Sequence, residues 1–249
     1  MDSDGSGCPG LLTGVEMSFD WMTRLAVSGA SGKTGWRVVV EALKRGRSVR
    51  AIVRPASVLP PALAQAEQEG RLEVHRLELD TAEALLYALQ GCAALVIATG
   101  ARPSINLAGP LQVDAWGVQA QVQACRSLGV RRVLLVSSLC AGRWLHPLNL
   151  FGLILVWKRL GERCLERSGL DWTVIRPGGL SEDDSRSTSE GLLVTAADQQ
   201  ESNSIPRRLV ARVCLDALEQ PRACGRILEI TSTPAQPQQP LGQWLDQLD

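Results

Sequence analysis

Residues 28–35 read Ser-Gly-Ala-Ser-Gly-Lys-Thr-Gly, between the apolar run Leu25-Ala26-Val27 and a helical pattern that begins at Trp36. Three glycines at this spacing let the backbone turn off a strand, approach a pyrophosphate closely and pack the next helix against the sheet. The start of that helix would point free N–H groups and its positive dipole end at the phosphates. The stretch therefore predicts a dinucleotide-binding loop, with the cofactor-binding residues Gly29, Ser31, Gly32, Lys33, Thr34 and Gly35.

Two other interpretations of this loop compete with dinucleotide binding. Gly32-Lys33-Thr34 resembles the end of an ATPase P-loop, but that motif needs a glycine five positions before Gly32, where this chain has Val27. An ordinary strand-to-helix turn is the second alternative. The strand before the loop and the helix after it favour dinucleotide binding over both.

Composition excludes several classes of protein. The chain has 249 residues and is 45% hydrophobic, which suits one α/β domain with one large core. Lys plus Arg and Asp plus Glu number 26 each, so no global charge favours nucleic acid, and we expect no nucleic-acid partner. The seven cysteines form no Cys-x-x-Cys pair and there are two histidines, so we expect no metal site, a reducing compartment and a cytoplasmic location.

Short apolar runs alternate with helical patterns along the chain. Strands are predicted at 24–28, 48–54, 72–77, 94–98, 132–137, 171–176 and 226–230, and helices at 34–45, 61–69, 81–89, 111–128, 151–168 and 206–218. This alternation predicts an α/β fold with a doubly wound parallel sheet, a Rossmann-like single domain. Its ligand is expected at the carboxyl ends of the strands.

The domain is expected to cover residues 23–233, with small substrate-side elements after residue 177. Residues 1–22 lack the pattern of a signal or transit peptide and are predicted to be a disordered leader. Residues 234–249 are predicted to be a tail that ends in a short helix near 241–248.

The end of the second strand indicates which dinucleotide binds. Folds that select NAD place a carboxylate there for the ribose 2′-hydroxyl, whereas this chain has Val53-Arg54-Pro55. Arg54, with Arg50 on the same strand, is placed to pair with a 2′-phosphate, which predicts NADP as the cofactor, NADPH being preferred over NADH. The alternative is that Arg54 is a solvated arginine at a strand end.

Further cofactor contacts are expected at later strand ends. Asp80 can accept from the adenine amino group or open a capping box with Glu83. Thr99 and Gly100 follow the fourth strand, where glycine permits close approach. After the sixth strand, a turn at Pro177 and Gly178 would present N–H groups to the nicotinamide amide, unless it is a plain turn.

Several motifs together carry a family resemblance: the glycine loop, Val136-Ser137-Ser138, Trp157-Lys158 and the segment 174–179, Val-Ile-Arg-Pro-Gly-Gly. Over about residues 24–232 the chain resembles an atypical short-chain dehydrogenase/reductase of the NAD(P)H-binding group. That group includes biliverdin reductase B (flavin reductase) and the cyanobacterial relatives of the dehydrogenase-like subunit of the chloroplast translocon. The resemblance implies NADPH as cofactor and a redox role.

The resemblance also marks catalytic candidates and one departure. Ser137 and Lys158 match the family's catalytic Ser and Lys, and both are also expected to contact the cofactor. Alternatively, Ser137 closes a strand end and Lys158 is a solvated helix lysine. Four residues before the lysine, where the family has its catalytic tyrosine, stands Ile154, and the one tyrosine of the chain, Tyr87, lies in an early helix. His146, before Pro147, is a candidate proton relay.

Two functions remain open from the sequence. Without a dedicated proton donor, the expected reaction is hydride transfer from NADPH to a small-molecule electron acceptor that takes its proton from solvent, such as a flavin, a quinone or a linear tetrapyrrole. The alternative, implied by the translocon resemblance, is a non-catalytic NADPH-binding module that senses redox state or acts as a scaffold. The 249 residues do not include the long Pro/Ser-rich repeats of that subunit, so its particular partner is not expected.

The apolar stretch 148–157 is about half the length that spans a bilayer, so no transmembrane segment is expected. It is expected to be a pocket wall, and a dimer face or a weak peripheral contact with a membrane or protein is the alternative.

Overall fold

The computed structural model describes residues 24–79, 81–100, 110–141, 143, 149 and 153–248. The predicted leader at 1–22 lies outside the described residues, and the division into leader, domain and tail stays a prediction.

An eight-stranded sheet forms the centre of the fold. Its strands, in chain order, are β1 (Arg24–Ser28), β2 (Val49–Val53), β3 (Leu72–Arg76), β4 (Cys92–Ile97), β5 (Arg132–Val136), β6 (Asp171–Pro177), β8 (Gly191–Thr195) and β10 (Arg226–Thr233). They lie in the order β3-β2-β1-β4-β5-β6-β10-β8, and all neighbours are parallel except β8, which runs antiparallel to β10. The prediction of a doubly wound, Rossmann-like sheet is confirmed.

Two short strands that the sequence analysis did not assign, β7 (Gly179–Ser181) and β9 (Ser204–Pro206), form a second parallel sheet. Strand β8 was not assigned either. All three belong to the segment after residue 177, where small substrate-side elements were expected.

Helices connect the strands. The α-helices are α1 (Gly35–Lys44), α2 (Ala64–Gln68), α3 (Ala82–Leu89), α4 (Gly117–Leu128), α5 (Ile154–Glu166), α6 (Arg207–Glu219) and α7 (Leu241–Gln247). Single 3-10 turns occur at Pro61–Leu63, Asp184–Thr188 and Pro221–Ala223. The helix predicted at 111–128 begins as a π-helix, Leu111–Trp116, before α4 continues it.

The core covers both faces of the sheet. On one face α1 packs against α6, and Val38, Leu215 and Leu245 are fully buried there. On the other face α3 packs against α4, with Leu85 and Val122 buried. Burial on both faces explains why the strands are nearly continuous apolar runs.

Within the described residues, no helix is both long enough and apolar enough to cross a membrane. The same residues contain no group of three or more His, Cys, Asp and Glu side chains that could hold a metal ion.

Candidate functional site

The glycine loop joins β1 to α1 in a conformation that side chains would obstruct. Gly29 has φ +73°, and a Cβ there would lie 2.8 Å from the Ala98 carbonyl oxygen. A Cβ on Gly35 would lie 2.2 Å from the Gly29 carbonyl oxygen. Both glycines are therefore required by close backbone approach, the first to β4 and the second to the loop itself.

The N terminus of α1 is open toward a ligand. Among the described residues, the N–H groups of Lys33 and Thr34 donate no hydrogen bond, and the first turn of α1 contains no acidic side chain. The Thr34 hydroxyl does not cap the helix, and it accepts instead from Arg207 Nη1 at 2.9 Å. Such a helix start is suited to bind an anion such as a phosphate.

Three buried hydroxyl groups lie at neighbouring strand ends. Ser28 ends β1, Thr99 follows β4 and Ser137 follows β5, and each hydroxyl oxygen is buried without a hydrogen-bond partner among the described residues. Buried polar groups are nearly always satisfied, so unpaired ones at one sheet edge are best explained by a missing ligand. Together with the glycine loop, these groups fit a dinucleotide at the carboxyl ends of the strands.

Arg54 and Arg50 have different environments on β2. Arg54 directly follows the strand, is exposed, and its side chain has no hydrogen bond or ion pair to the described residues. Arg50 is buried and donates to Glu73 at 3.0 Å and to the carbonyl oxygens of Ala88 and Gln90. The use of Arg50 as support for a 2′-phosphate site is therefore wrong, because its guanidinium holds α3 and β3 instead.

The capping interpretation of Asp80 needs a correction, and Asp80 itself lies outside the described residues. The N-cap of α3 is Thr81, whose hydroxyl accepts from the Ala84 N–H at 3.2 Å. The N-cap is therefore one residue later than predicted, and Ala84, three residues after Thr81, has no polar side chain to complete a capping box. The adenine contact of Asp80 stays a prediction.

Lys158 lies beside the end of β4 and is paired with a carboxylate. Its Nζ is 2.9 Å from Asp114 Oδ1, and the side chains of Lys158 and Asp114 are only 14% and 3% exposed. The same Nζ lies 3.7 Å from where a Cβ of Gly100 would be, so the pair adjoins the predicted cofactor contact at Thr99 and Gly100. A solvated helix lysine, the alternative interpretation, does not describe Lys158.

Asp114 was missed by the sequence analysis, and so was the residue that brings it to Lys158. Gly161 lies one turn after Lys158 in α5, and a Cβ there would be 2.2 Å from the Asp114 carbonyl oxygen. The helix can therefore approach the π-helix 111–116 only because residue 161 is glycine. Two signals were present in the sequence: a single carboxylate in the otherwise uncharged helical segment 111–125, and a glycine in a helix interior. π-Helical turns are also frequent at functional sites.

The catalytic-tyrosine position is occupied as the sequence indicates. Ile154 opens α5 and packs against the small cluster of Leu139, Cys140 and Leu155. Tyr87, which lies on helix α3, stacks on His75 with the ring centroids 5.0 Å apart. Ser137 Oγ makes no hydrogen bond to Lys158, since it has no partner among the described residues.

The turn after β6 differs from its predicted role. The Gly178 N–H donates to the Ile230 carbonyl at 2.9 Å, and the Gly179 N–H donates to Asn203 at 2.8 Å. These N–H groups are therefore not available to a nicotinamide amide, which corrects that part of the prediction. Gly178 is needed for packing instead, because a Cβ there would lie 2.4 Å from the Asn203 carbonyl oxygen.

The stretch 148–157 is described in part, and His146 lies outside the described residues. Asn149 accepts the Leu155 N–H at 3.0 Å and so satisfies the start of α5. Leu155 is buried against Leu139 and Cys140, whereas Leu153 is 48% exposed. The role of the stretch as a pocket wall, a dimer face or a peripheral contact therefore stays a prediction.

Curated relatives support the resemblance to plastid proteins. An uncharacterised chloroplast protein of Arabidopsis thaliana is 34% identical over 84% of this chain and 76% of its own length. Protein TIC 62 of Oryza sativa, also a chloroplast protein, is 31% identical over 84% of this chain and 46% of its own length. Sanguinarine reductase of Eschscholzia californica is 28% identical over 84% of this chain and 88% of its own length. The cytoplasmic location stays a prediction beside these chloroplast relatives.

A solved structure and a family model agree with this placement. A Bacillus halodurans protein assigned to the NAD-dependent epimerase/dehydratases superposes with a TM-score of 0.75, at 27% identity over 91% of this chain and all of that chain. Residues 29–221 match the family model for NAD(P)H-binding proteins, a range that contains the glycine loop, Asp114 and Lys158. The chain belongs to the NAD(P)H-binding family.

Proposed function

We propose that the protein is an NADPH-dependent oxidoreductase that reduces an apolar, planar acceptor without a catalytic tyrosine. The observation that carries this proposal is the Lys158–Asp114 pair, which adjoins Gly100 at the strand edge where a dinucleotide fits. A lysine that only adds surface charge would be solvent-exposed, whereas the Lys158 ammonium is largely buried and paired at the proposed cofactor site. The relative named sanguinarine reductase supports a reductase in this family.

The proposed cofactor site combines the residues of the loop with those of the later strand ends: Gly29, Ser31, Gly32, Lys33, Thr34, Gly35, Arg54, Asp80, Thr99, Gly100, Ser137 and Lys158. The backbone of the loop and the start of α1 bind the pyrophosphate. Thr99 and Ser137, whose hydroxyls have no hydrogen-bond partner among the described residues, are proposed to bind the nicotinamide half.

Bound NADPH would supply a hydride, and the residues of the chain would orient it. Lys158 would hold the nicotinamide ribose through hydrogen bonds, while Asp114 fixes the ammonium group in place. Ile154 offers no proton, so the proton for the acceptor would come from solvent. Flavins, quinones and linear tetrapyrroles are acceptors of this kind.

The preference for NADPH over NADH is proposed to rest on Arg54. Arg54→Ala should weaken NADPH binding by about 1–3 kcal/mol and leave NADH binding nearly unchanged, because NADH has no 2′-phosphate. Fluorescence titration with both nucleotides measures this. Arg126→Ala, in the last turn of α4 at the opposite edge of the sheet, is the control. Equal losses for both nucleotides would contradict the assignment.

Hydride transfer is tested by following NADPH absorbance in a stopped-flow instrument with a flavin, a quinone and biliverdin. Lys158→Met should lower turnover about 100-fold and Asp114→Asn about tenfold, because both disturb the orientation of the cofactor. Lys44→Met, in the last turn of α1, is the matched control and should keep full turnover.

The alternative is a non-catalytic module that binds NADPH and senses redox state or holds another protein. The relationship to TIC 62, of which this chain covers 46%, favours keeping it as the second candidate. Tight NADPH binding with no hydride transfer to any acceptor, together with a protein partner whose capture depends on NADPH, would establish the module in place of the enzyme.

A further inference from the structure

An acidic segment lies against the glycine loop. It follows β7 and leads into the 3-10 turn Asp184–Thr188. Glu182 is 2.9 Å from Lys33 Nζ and accepts from Arg207 Nε, also at 2.9 Å, while its second oxygen lies 3.6 Å from Arg37 Nη2. One carboxylate thus faces three cations beside the start of α1.

Arg207 connects this carboxylate to the loop itself. From the start of α6, its Nε donates to Glu182 while its Nη1 donates to the Thr34 hydroxyl. Thr34 is the N-cap residue of the helix whose N–H groups are open to a phosphate. The guanidinium therefore stands next to the proposed pyrophosphate subsite, although no cofactor contact was predicted for Arg207.

The neighbouring pair of Arg37 and Asp184 has a different character. Arg37 is 9% exposed and donates to Asp184 at 2.7 Å and to the Lys33 carbonyl oxygen, and Asp184 also accepts the Arg208 N–H. This pair anchors the acidic segment to α1. Glu182, in contrast, is 50% exposed, and within the described part of the chain its side chain contacts the cations Lys33, Arg37 and Arg207.

A carboxylate in this position can be exchanged for another anion. Glu182 is 50% exposed and Lys33 69%, and ion pairs between exposed groups contribute little net free energy, so Glu182 can leave Lys33 for water at small cost. Arg207 is only 17% exposed, but its guanidinium keeps the hydrogen bond to the Thr34 hydroxyl when Glu182 moves. A phosphate offers the same cations more charge and the same forked hydrogen bonding to a guanidinium. The anchored pair of Arg37 and Asp184 can hold the segment while Glu182 moves.

We propose that Glu182 is an internal competitor of the cofactor: in the free protein it holds Lys33 and Arg207, and on binding these two cations pass to a phosphate of the dinucleotide. Arg207 is accordingly a cofactor-binding residue, and Glu182 lowers the affinity of the site. This inference rests on the proposed function, since it requires a dinucleotide at the loop.

The test compares Glu182→Gln with Asp183→Asn. Both variants remove one negative charge from the same segment, but Asp183 hydrogen-bonds to Ser185, a role that asparagine can keep, and not to the loop cations. Glu182→Gln should bind NADPH about two- to fivefold more tightly at low salt, as the loss of an exposed pair allows. Asp183→Asn should change the dissociation constant of NADPH by less than about half of the change that Glu182→Gln produces.

Two additional variants fix the interpretation. Glu182→Ala should shift the affinity in the same direction as Glu182→Gln. In the background of Arg207→Met, the gain from Glu182→Gln should shrink, because one of the contested cations is gone. Arg207→Met alone should weaken NADPH binding.

The outcomes separate the inference from the proposed function. If Glu182→Gln binds NADPH with unchanged or weaker affinity, the inference is overturned while NADPH binding by the protein stands. A weaker affinity would show that Glu182 helps to hold the bound cofactor. If the wild type binds no NADPH, the proposed function fails. In that case the same variants are titrated with inorganic pyrophosphate. If Glu182→Gln does not bind pyrophosphate more tightly than the wild type, the inference fails too.

Discussion

The glycine loop and helix α5 place their functional residues by different physical means. The loop uses backbone contacts: Gly29 and Gly35 allow approaches that any side chain would block. Helix α5 presents Lys158 and is held from beneath by buried charge, because Glu162, on the same helix, is fully buried against Arg176 of β6. We therefore expect the conformation of the loop to depend on the absence of side chains at its glycines, and the position of α5 to depend on the buried charges.

Arg176 belongs to a cluster of four charged residues, of which Arg176, Glu162 and Glu229 are buried and Asp198 is exposed. Arg176 donates to both oxygens of Glu162 at 2.8 and 2.9 Å and to Asp198 at 2.9 Å, and it lies 3.3 Å from Glu229. The second oxygen of Glu229 accepts the N–H groups of residues 199 and 200. Burial acts to lower the pKa of the Arg176 guanidinium, but the carboxylates of Glu162 and Asp198 act more strongly in the opposite direction. Its pKa is therefore raised above the usual value, and the group remains charged.

The largest effect is expected from Arg176→Met. The variant leaves Glu229 buried without a cation and Glu162 with Arg159 as its remaining one, and the free energy of unfolding should fall by about 3–5 kcal/mol. Urea unfolding measures the loss. Arg131→Met, which removes the exposed pair with Asp171, is the matched control and should cost less than about 1 kcal/mol. A similar cost for both variants would show that buried charge does not hold this half of the molecule.

Gly35→Ala tests the opposite side of the comparison. The new Cβ would lie 2.2 Å from the Gly29 carbonyl oxygen, so the loop must move, at a cost of about 1–3 kcal/mol in stability and with loss of NADPH binding. Thermal unfolding and fluorescence titration give the two values. Gly242→Ala is the control, because a Cβ there meets nothing closer than 3.9 Å. Full NADPH affinity in Gly35→Ala would refute the proposed loop geometry.

Gly161→Ala separates binding from turnover. Its Cβ would lie 2.2 Å from the Asp114 carbonyl oxygen and push α5 away from the π-helix. We expect about 1–3 kcal/mol of destabilisation, and turnover should fall at least about tenfold, while the affinity for NADPH changes less. Steady-state kinetics and titration on the same preparation decide between this and a purely structural effect, which would leave turnover per folded molecule unchanged.

The same contrast explains what the sequence could predict. Gly29 and Gly35 carry their requirement locally, since no other residue meets it, so the loop was found from eight consecutive residues. Asp114 and Lys158 are 44 positions apart and meet because of Gly161. The local pattern marks each of these residues as unusual but does not show that they come together. Arg50 was misread because strand position alone does not show which partners its long side chain can reach.

The C-terminal third shows a second limit. The pattern of apolar runs predicted β6 and β10, yet the strands β7, β8 and β9 were not assigned. Two of these strands have three residues each, too short for an alternation to be read. The glycine after β6 was found, but the partner of its N–H lies on β10, more than fifty positions away.

The smallest effects should come from the unsatisfied hydroxyls, where Thr99→Val is compared with Thr173→Val. Thr173 is fully buried, and its hydroxyl donates to the Ala223 carbonyl at 2.7 Å and accepts from Arg132 at 2.8 Å. Its loss should cost about 1–3 kcal/mol in stability and leave NADPH affinity unchanged. Thr99 Oγ1 has no partner among the described residues, so its replacement should change the stability of the cofactor-free protein by less than about 1 kcal/mol.

If the Thr99 hydroxyl is satisfied by the cofactor, the cost of its loss must appear in binding. NADPH affinity of Thr99→Val should then fall by about 0.5–1.5 kcal/mol, and Ser137→Ala should behave in the same way. Chemical unfolding without nucleotide and titration with NADPH measure both terms on each variant. A loss of stability without a loss of affinity would place the partner of the hydroxyl inside the protein. A loss of affinity without a loss of stability would show that the hydroxyls at this strand edge are placed to bind the ligand, as the residues of the glycine loop are.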